Sequence, residues 1–214
     1  MRRIHGAAAL AVGLPCGAAG AALMKHGGFG LTPFYTVSLA LYHVTGLWTM
    51  GTWNVIFQTL LILSLIVILR RMKPRYLLSF AVAAVSSAIL DGANAVCATF
   101  SQALPIRILC YATGFLVMTF GIALMAECKM PVAPMNLFVR ELAESMGKPF
   151  RRVKLVFDVA CFTVSVTILL AFAGHLDGIG PGTIISALLT GPMSGVYIAT
   201  LRKKYIFYVR RENW

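Results

Sequence analysis

Acidic residues are scarce in this chain, and charged residues of either sign make up little of it. Its 214 residues include 7 Asp and Glu against 19 Lys and Arg, and these four types together account for 12% of the chain. Hydrophobic residues account for 59%, which is too apolar a composition for an ordinary soluble domain. We therefore expect one integral membrane domain over residues 1–214, with no separate soluble domain.

The patterns of a catalytic or metal-binding site are also missing. The chain has no serine–histidine–acid arrangement, no HExxH sequence and no phosphate-binding loop. Its 5 cysteines are scattered without metal-ligand spacing, and free cysteine packs as a small hydrophobic residue in most such cases. We expect no enzymatic activity, no metal and no cofactor.

Six apolar runs are each close to the roughly 20 residues that cross an ~30 Å hydrocarbon core. They are Ile4 to Met24, Val55 to Leu69, Tyr76 to Cys97, Leu104 to Ala126, Val153 to Ala173, and Thr183 to Leu201. These runs predict six transmembrane helices, and the lipid bilayer is the first partner that the sequence implies.

The basic residues are distributed unequally between the loops on the two sides. All but two of the 19 lie before the first run, between runs two and three, between runs four and five (with Lys154 at the start of run five counted here), or after run six; the exceptions are Lys25 and Arg107. Because Lys and Arg are retained on the cytoplasmic side, we expect both termini to be cytoplasmic. Basic flanks beside anionic lipid also explain the net charge of +12, so no nucleic-acid partner is expected.

An internal repeat relates the two halves of the chain. Gly20–Met24 returns as Gly121–Met125 after a shift of 101 residues, and the same shift relates Pro33 to Pro134 and Gly46 to Gly147. We divide the chain into repeat 1 (1–100), repeat 2 (101–201) and a basic cytoplasmic tail (202–214). Each repeat has three spans, and because three is an odd number the second repeat enters the membrane from the opposite side to the first. The sequence therefore predicts an all-α membrane protein of two inverted-topology repeats, an arrangement that several transporter families share.

A short helix is predicted after the first span of each repeat. Thr32 and Pro33 form a helix start before Phe34–Val44, and Pro134 precedes Met135–Met146. About a dozen residues give ~18 Å of helix, too short to cross the bilayer. Each helix is either amphipathic and interfacial or re-entrant, in which case its N-terminus would present N–H groups to an anionic solute. Charged residues favour the interfacial interpretation for the second copy: Arg140, Glu141 and Glu144.

Polar residues within the apolar runs are the candidate functional residues. Asp91 comes first, because a carboxylate within a span is costly unless it is paired or hydrated, and it is a plausible proton site. The candidate solute-binding set is Asp91, Asn94, Asn54, Gln58, Thr32, His43, Ser186 and Thr190. Lys154 and Asp158 are four residues apart, so they can pair along a helix as a charge pair or inner gate.

Short motifs across nearly the whole chain resemble a bacterial membrane protein family. They are Gly20–Met24, Gly28-x-Gly30-x-Thr32-Pro33, Gly51-Thr-Trp-Asn54, Arg152-Val-Lys154 with Asp158, Gly182-Thr183 and Gly191-Pro192. Together they are similar to the YczE/YyaS/YitT-type proteins, most of all to the YczE branch. The resemblance implies a six-span bacterial inner-membrane protein without a settled substrate. The family often has an acid two residues after each half-helix proline, where this chain has Tyr35 and Asn136.

Three functional hypotheses remain at this point. The first is a small-solute transporter, a secondary carrier or exporter, with a central site for an anionic or zwitterionic solute between the repeats. The second is a substrate-capture membrane subunit that works with separate energising partners, and the third is a non-transporting scaffold. A homodimer or a complex with a partner subunit is compatible with each.

Overall fold

Eight α-helices and two short strands make up the described part of a computed structural model of the chain. The structure describes residues 2–70, 74–128, 133–148, 150–176 and 178–208. The helices are α1 (Gly6–Gly27), α2 (Pro33–Thr45), α3 (Met50–Leu69), α4 (Pro74–Cys97), α5 (Leu104–Glu127), α6 (Pro134–Ser145), α7 (Phe150–Ile168) and α8 (Pro181–Lys204). A π-helical turn, Leu169–Ala173, continues α7, and the strands are β1 (Arg2–His5) and β2 (Tyr205–Tyr208).

Six of these helices are long and apolar enough to span a membrane, which confirms the predicted number of spans. The six segments are Gly6–Gly27, Met50–Leu69, Leu78–Cys97, Leu104–Glu127, Arg152–Ala173 and Pro181–Lys204. Large apolar side chains such as Val67, Phe172 and Leu188 are more than half exposed on their outer faces. Such surfaces are typical of helices that face lipid, and the chain is a multi-pass membrane protein.

The chain is not helical throughout, and this corrects the prediction for its two ends. The first helix begins at Gly6 rather than Ile4, because residues 2–5 form a strand that pairs in parallel with 205–208. In the predicted tail, residues 202–204 continue α8, residues 205–208 form β2, and 209–214 lie outside the described residues. The pairing brings the segments before α1 and after α8 to the same end of the helical bundle.

Helices α1 and α5 cross in opposite directions at the centre of the bundle, and glycines let their backbones meet. A Cβ atom added to Gly13 would lie 3.0 Å from the carbonyl oxygen of Gly121. One added to Gly20 would lie 2.6 Å from that of Gly114. Contacts this close exclude any side chain, as in the small-residue helix interfaces common in membrane proteins.

The remaining helices pack around this central pair. Helix α4 contacts α1, and α8 contacts α5. The two short helices lie between longer ones, since both α2 and α6 contact α3 and α7. Buried side chains form two main apolar clusters. One includes Ala9, Leu65 and Leu201 toward the strand end of the bundle, and the other includes Met24, Leu39 and Leu90 toward the opposite end.

The two short helices begin as their prolines predict. Thr32 is extended (φ −65°, ψ 144°) and Pro33 is the first residue of α2. Gly46, in the left-handed region (φ 61°), caps the helix after its last residue, Thr45. Pro134 occupies the same first position in α6. A proline suits this position because the first N–H groups of a helix have no partner within the helix.

Candidate functional site

A small cavity lies between the two main apolar clusters, where the N-terminal ends of α2 and α6 approach the middle of α3 and the N-terminal half of α7. Its volume is about 50 Å³, and since one water needs roughly 10–15 Å³ of such space, it has room for about four waters or a small ion. Its apolar wall comes from α1 and α5, and its polar wall from the other helices. The polar and charged lining residues are Thr32, Tyr35, Gln58, Ser86, Asn136, Lys154, Asp158 and Thr190.

Both short helices direct their N-terminal turns at this cavity. Residues 32–35 of the first and residues 133, 135 and 136 of the second line it. Neither helix has a side-chain N-cap hydrogen bond in the described structure. Each N-terminus carries a partial positive charge of roughly half a unit, so the cavity has two such ends facing it.

An ion pair supplies the full charges at the cavity. The Lys154 ammonium donates a hydrogen bond to the Asp158 carboxylate over 2.5 Å, and the two side chains are 17% and 6% exposed. The four-residue spacing on α7 produces this pair, as the sequence predicts. Lys154 also lies over the ring of Phe157, 5.6 Å from its centroid. Among the described lining residues, these are the only two with a formal charge.

Gln58 brings an unused hydrogen-bond acceptor to the same place. It lines the cavity and is 2% exposed, and among the described residues its Oε1 atom accepts no hydrogen bond. A buried amide oxygen without a donor is destabilising by about 1–3 kcal/mol. Such an atom in a native fold calls for an explanation, such as a ligand or water that donates to it.

Five of the ten predicted site residues line the cavity. They come from four helices or their caps, and the sequence alone had no way to show that they meet: Thr32, Gln58, Lys154, Asp158 and Thr190. The hydroxyl of Thr190 donates to the carbonyl of Ser186 at 2.5 Å.

Asp91 does not line the cavity, although it was the first candidate. Its carboxylate accepts hydrogen bonds from the Thr49 hydroxyl (2.6 Å) and from the backbone N–H of Gly51 (2.8 Å). These are groups at the start of α3, so Asp91 of α4 serves there as a cap on a neighbouring helix. The physical reason for the costly carboxylate is therefore local: it satisfies the free N-terminal donors of α3.

Four further candidates also lie outside the cavity lining. Asn54 is buried and donates through Nδ2 to the Ser87 hydroxyl at 2.9 Å, which links α3 to α4. Asn94 is partly buried and contacts the sulfur of Met50 at 4.0 Å. His43 is exposed on α2. Ser186 donates to backbone carbonyls on its own helix and at residue 31.

Three of the polar lining residues are not among the residues that the sequence predicted for the site: Ser86, Tyr35 and Asn136. Tyr35 and Asn136 occupy equivalent repeat positions, two residues after each helix-starting proline. Protein surrounds Tyr35 and raises the pKa of its hydroxyl to about 12, so the group remains protonated and able to donate a hydrogen bond. The Tyr35 side chain is partly buried, and it lines the cavity.

The placement of α2 bears on the two interpretations of the short helices. Its first eight residues are nearly all buried, and the Thr36 and Ser165 hydroxyls lie 2.9 Å apart across the contact with α7. This burial favours the re-entrant interpretation for α2. Helix α6 alternates buried with partly buried residues, including a buried Glu141, and is exposed only at its last two residues; only its N-terminal end reaches the cavity.

The described residues contain no group of three His, Cys, Asp or Glu side chains placed to hold a metal ion. None of the five cysteines forms a disulfide in the part of the chain that the structure describes, and four of them are buried.

Comparison with known proteins gives one match. A family model described as "Family of unknown function (DUF6198)" matches residues 4–199, which covers all eight helices except the C-terminal end of α8. No curated protein matches the chain, and no solved structure matches it.

Proposed function

The chain belongs to the DUF6198 family, and because the function of that family is unknown, we propose from the cavity that the protein is a small-solute transporter. The solute site is the cavity itself, between two halves of inverted topology. The membrane is the bacterial inner membrane, with both termini cytoplasmic, as the loop charges and the resemblance to the YczE branch suggest.

The observation that carries this proposal is a cavity inside the membrane domain whose lining includes a buried ion pair and several polar side chains. An ion pair and an unsatisfied amide inside a membrane domain are expensive to bury. Packing alone could have used apolar residues there, as the two clusters on either side do. Ionisable residues inside membrane domains commonly mark a pathway for a solute or ion.

The contact between α1 and α5 supports the inverted repeat. Gly13 opposes Gly121, and Gly20 opposes Gly114. The repeat shift of 101 residues turns Gly13 into Gly114 and Gly20 into Gly121. Applying the shift to one contact therefore produces the other, with the two helices exchanged. A two-fold axis between antiparallel helices has this effect, and in a membrane such an axis lies in the plane of the bilayer.

Each short helix packs more extensively on the opposite half than on its own. Helix α2 of the first repeat packs mainly on α7 of the second and also contacts α3, and α6 of the second packs mainly on α3 of the first and also contacts α7. Each half thus supplies one helix N-terminus and one polar span to the cavity. Solute sites of inverted-repeat transporters are formed in this manner, at the interface of the repeats and by half-helix ends.

Filling the cavity is the direct test. We expect purified protein in liposomes to move one or more members of a panel of small inorganic anions, carboxylates, amino acids and amines, recorded as transport currents or label uptake. Thr190→Leu places extra side-chain volume in the cavity and should reduce that flux at least tenfold. The matched control is Thr200→Leu, because Thr200 is exposed on the same helix.

Transport by the protein alone separates this proposal from a capture subunit, which would bind solute without moving it until a partner is added. Flux that survives Thr190→Leu in a folded protein, or absence of flux for the whole panel, would overturn the proposal.

A further inference from the structure

We infer that the solute is a small monovalent anion that carries a hydrogen-bond donor of its own, held by the two half-helix N-termini, Lys154 and Gln58. This inference names the substrate class of the cavity and so rests on the proposed function of that site. It depends on three separate observations: the charge of the lining, the unused acceptor, and the volume.

The charge of the lining favours one negative charge. Lys154 and Asp158 neutralise each other, since their side chains form a direct ion pair. Two helix N-termini then remain, and together they contribute roughly one unit of positive charge. A monovalent anion would balance that charge, whereas a cation would add to it in a site where charges are screened less than in bulk water.

Lys154 strengthens the same preference. An ammonium group has three N–H donors, and one of them is directed at Asp158. The others are available to a solute, because the side chain lines the cavity. Pairing with Lys154 offsets much of the repulsion that the Asp158 carboxylate would exert on an anion, so the site can accept an anion while both buried charges keep their partners.

Gln58 adds the requirement for a donor. Its Oε1 atom is buried without a partner and belongs to a cavity-lining side chain. A solute with an O–H or N–H group would satisfy this acceptor, and one without it would leave the acceptor unpaired. Sites built to hydrogen-bond a donor reject analogues that lack it, because their own polar groups then stay unsatisfied.

The volume restricts the solute to a few non-hydrogen atoms. A cavity of about 50 Å³ holds about four waters. Hydrogencarbonate and nitrate are suitable probes of this size. Both are planar monovalent anions of similar shape, and only hydrogencarbonate has an O–H group.

The experiment measures the equilibrium binding of these two anions to the purified full-length protein by calorimetry, at a mildly alkaline pH. We expect hydrogencarbonate to bind more tightly than nitrate. Gln58→Leu should weaken hydrogencarbonate binding about 5- to 100-fold, the range expected when a buried hydrogen bond is lost, and should leave nitrate binding unchanged or tighter. Gln102→Leu is the control, because Gln102 is exposed and lies outside the lining. Gln58→Met serves as a second apolar variant if the leucine variant does not fold.

The inference is overturned by a preference for nitrate, by tighter binding of ammonium than of either anion, or by an equal loss of both anions in both Gln58 variants. These outcomes are distinct from failure of the transport proposal. Anion binding without flux would contradict the transport proposal and leave the inferred substrate class intact. Flux of amines alone would support transport and contradict the inferred substrate class.

Discussion

Gly20 lies directly against the backbone of Gly114, so that a Cβ atom on Gly20 would be 2.6 Å from the Gly114 carbonyl oxygen. The contact is reciprocal, since a Cβ on Gly114 would lie 2.7 Å from the carbonyl oxygen of Gly20. The obstacle in each case is backbone, which cannot swing aside as a flexible side chain can. The central helices α1 and α5 can therefore keep this separation only with glycine at both positions.

Replacing either glycine should destabilise the protein. We expect Gly20→Ala or Gly114→Ala to lower the free energy of unfolding by about 1–3 kcal/mol, the usual range for inserting atoms into a packed interface. The measurement is thermal unfolding in detergent, followed by fluorescence. Gly195→Ala is the control, because a Cβ there meets nothing within 4 Å and the residue is helical. Equal melting temperatures for the three variants would contradict the close packing of α1 on α5.

The sequence predicted the positions of the helices better than the contacts between distant segments. Apolar runs set the six spans because length and hydropathy are local properties, and Pro33 and Pro134 set the starts of the short helices because proline acts within one turn. The strands at 2–5 and 205–208 were missed, since each depends on pairing with a segment two hundred residues away.

The same distinction explains the outcome for the candidate site. Lys154 and Asp158 were paired correctly because they are neighbours on one helix face. The partners of Asp91 lie on another helix, at Thr49 and Gly51, and no periodicity within α4 reveals them. A polar residue within a span therefore indicates that the residue has polar partners. Its neighbours in space decide whether those partners belong to a solute site or only stabilise the fold.

Asp91 should contribute to stability and not to solute binding. Asp91→Ala removes both acceptors at the start of α3, and we expect it to lower the free energy of unfolding by about 1 kcal/mol, as loss of a helix cap does. Asp91→Asn should have a smaller effect, because its amide oxygen can still accept one of the two hydrogen bonds. Thermal unfolding and anion calorimetry on the same samples check both parts. Loss of anion binding in a folded Asp91→Asn variant would return Asp91 to the solute site.

Both termini should be found on the cytoplasmic side. The strand pair places residues 2–5 beside residues 205–208, so these two segments lie at the same end of the bundle, and the loop charges predict that this end is cytoplasmic. Reporter fusions at each terminus, one active only in the cytoplasm and one active only outside it, provide the measurement in bacterial cells. Opposite results for the two termini would contradict the six-span topology.

The buried pair at the cavity should show strong coupling between its two members. Lys154→Met alone leaves the Asp158 carboxylate buried without a countercharge, and Asp158→Leu alone leaves the ammonium in the same condition. Each single variant should lose about 3–5 kcal/mol of stability. The double variant removes both charges, and we expect it to recover most of that loss, because well-packed apolar residues replace a buried ion pair at little or no penalty.

Anion binding should respond differently from stability in this set of two single variants and one double variant. The double variant keeps the two helix N-termini and the Gln58 acceptor but has no ammonium to donate hydrogen bonds, so we expect it to be folded and to bind hydrogencarbonate at least tenfold more weakly than the unaltered protein. Thermal unfolding of all four proteins gives the coupling energy, and calorimetry gives the affinity. A stable double variant with unchanged anion affinity would confine Lys154 and Asp158 to a structural role and leave the cavity to the helix ends and Gln58 alone.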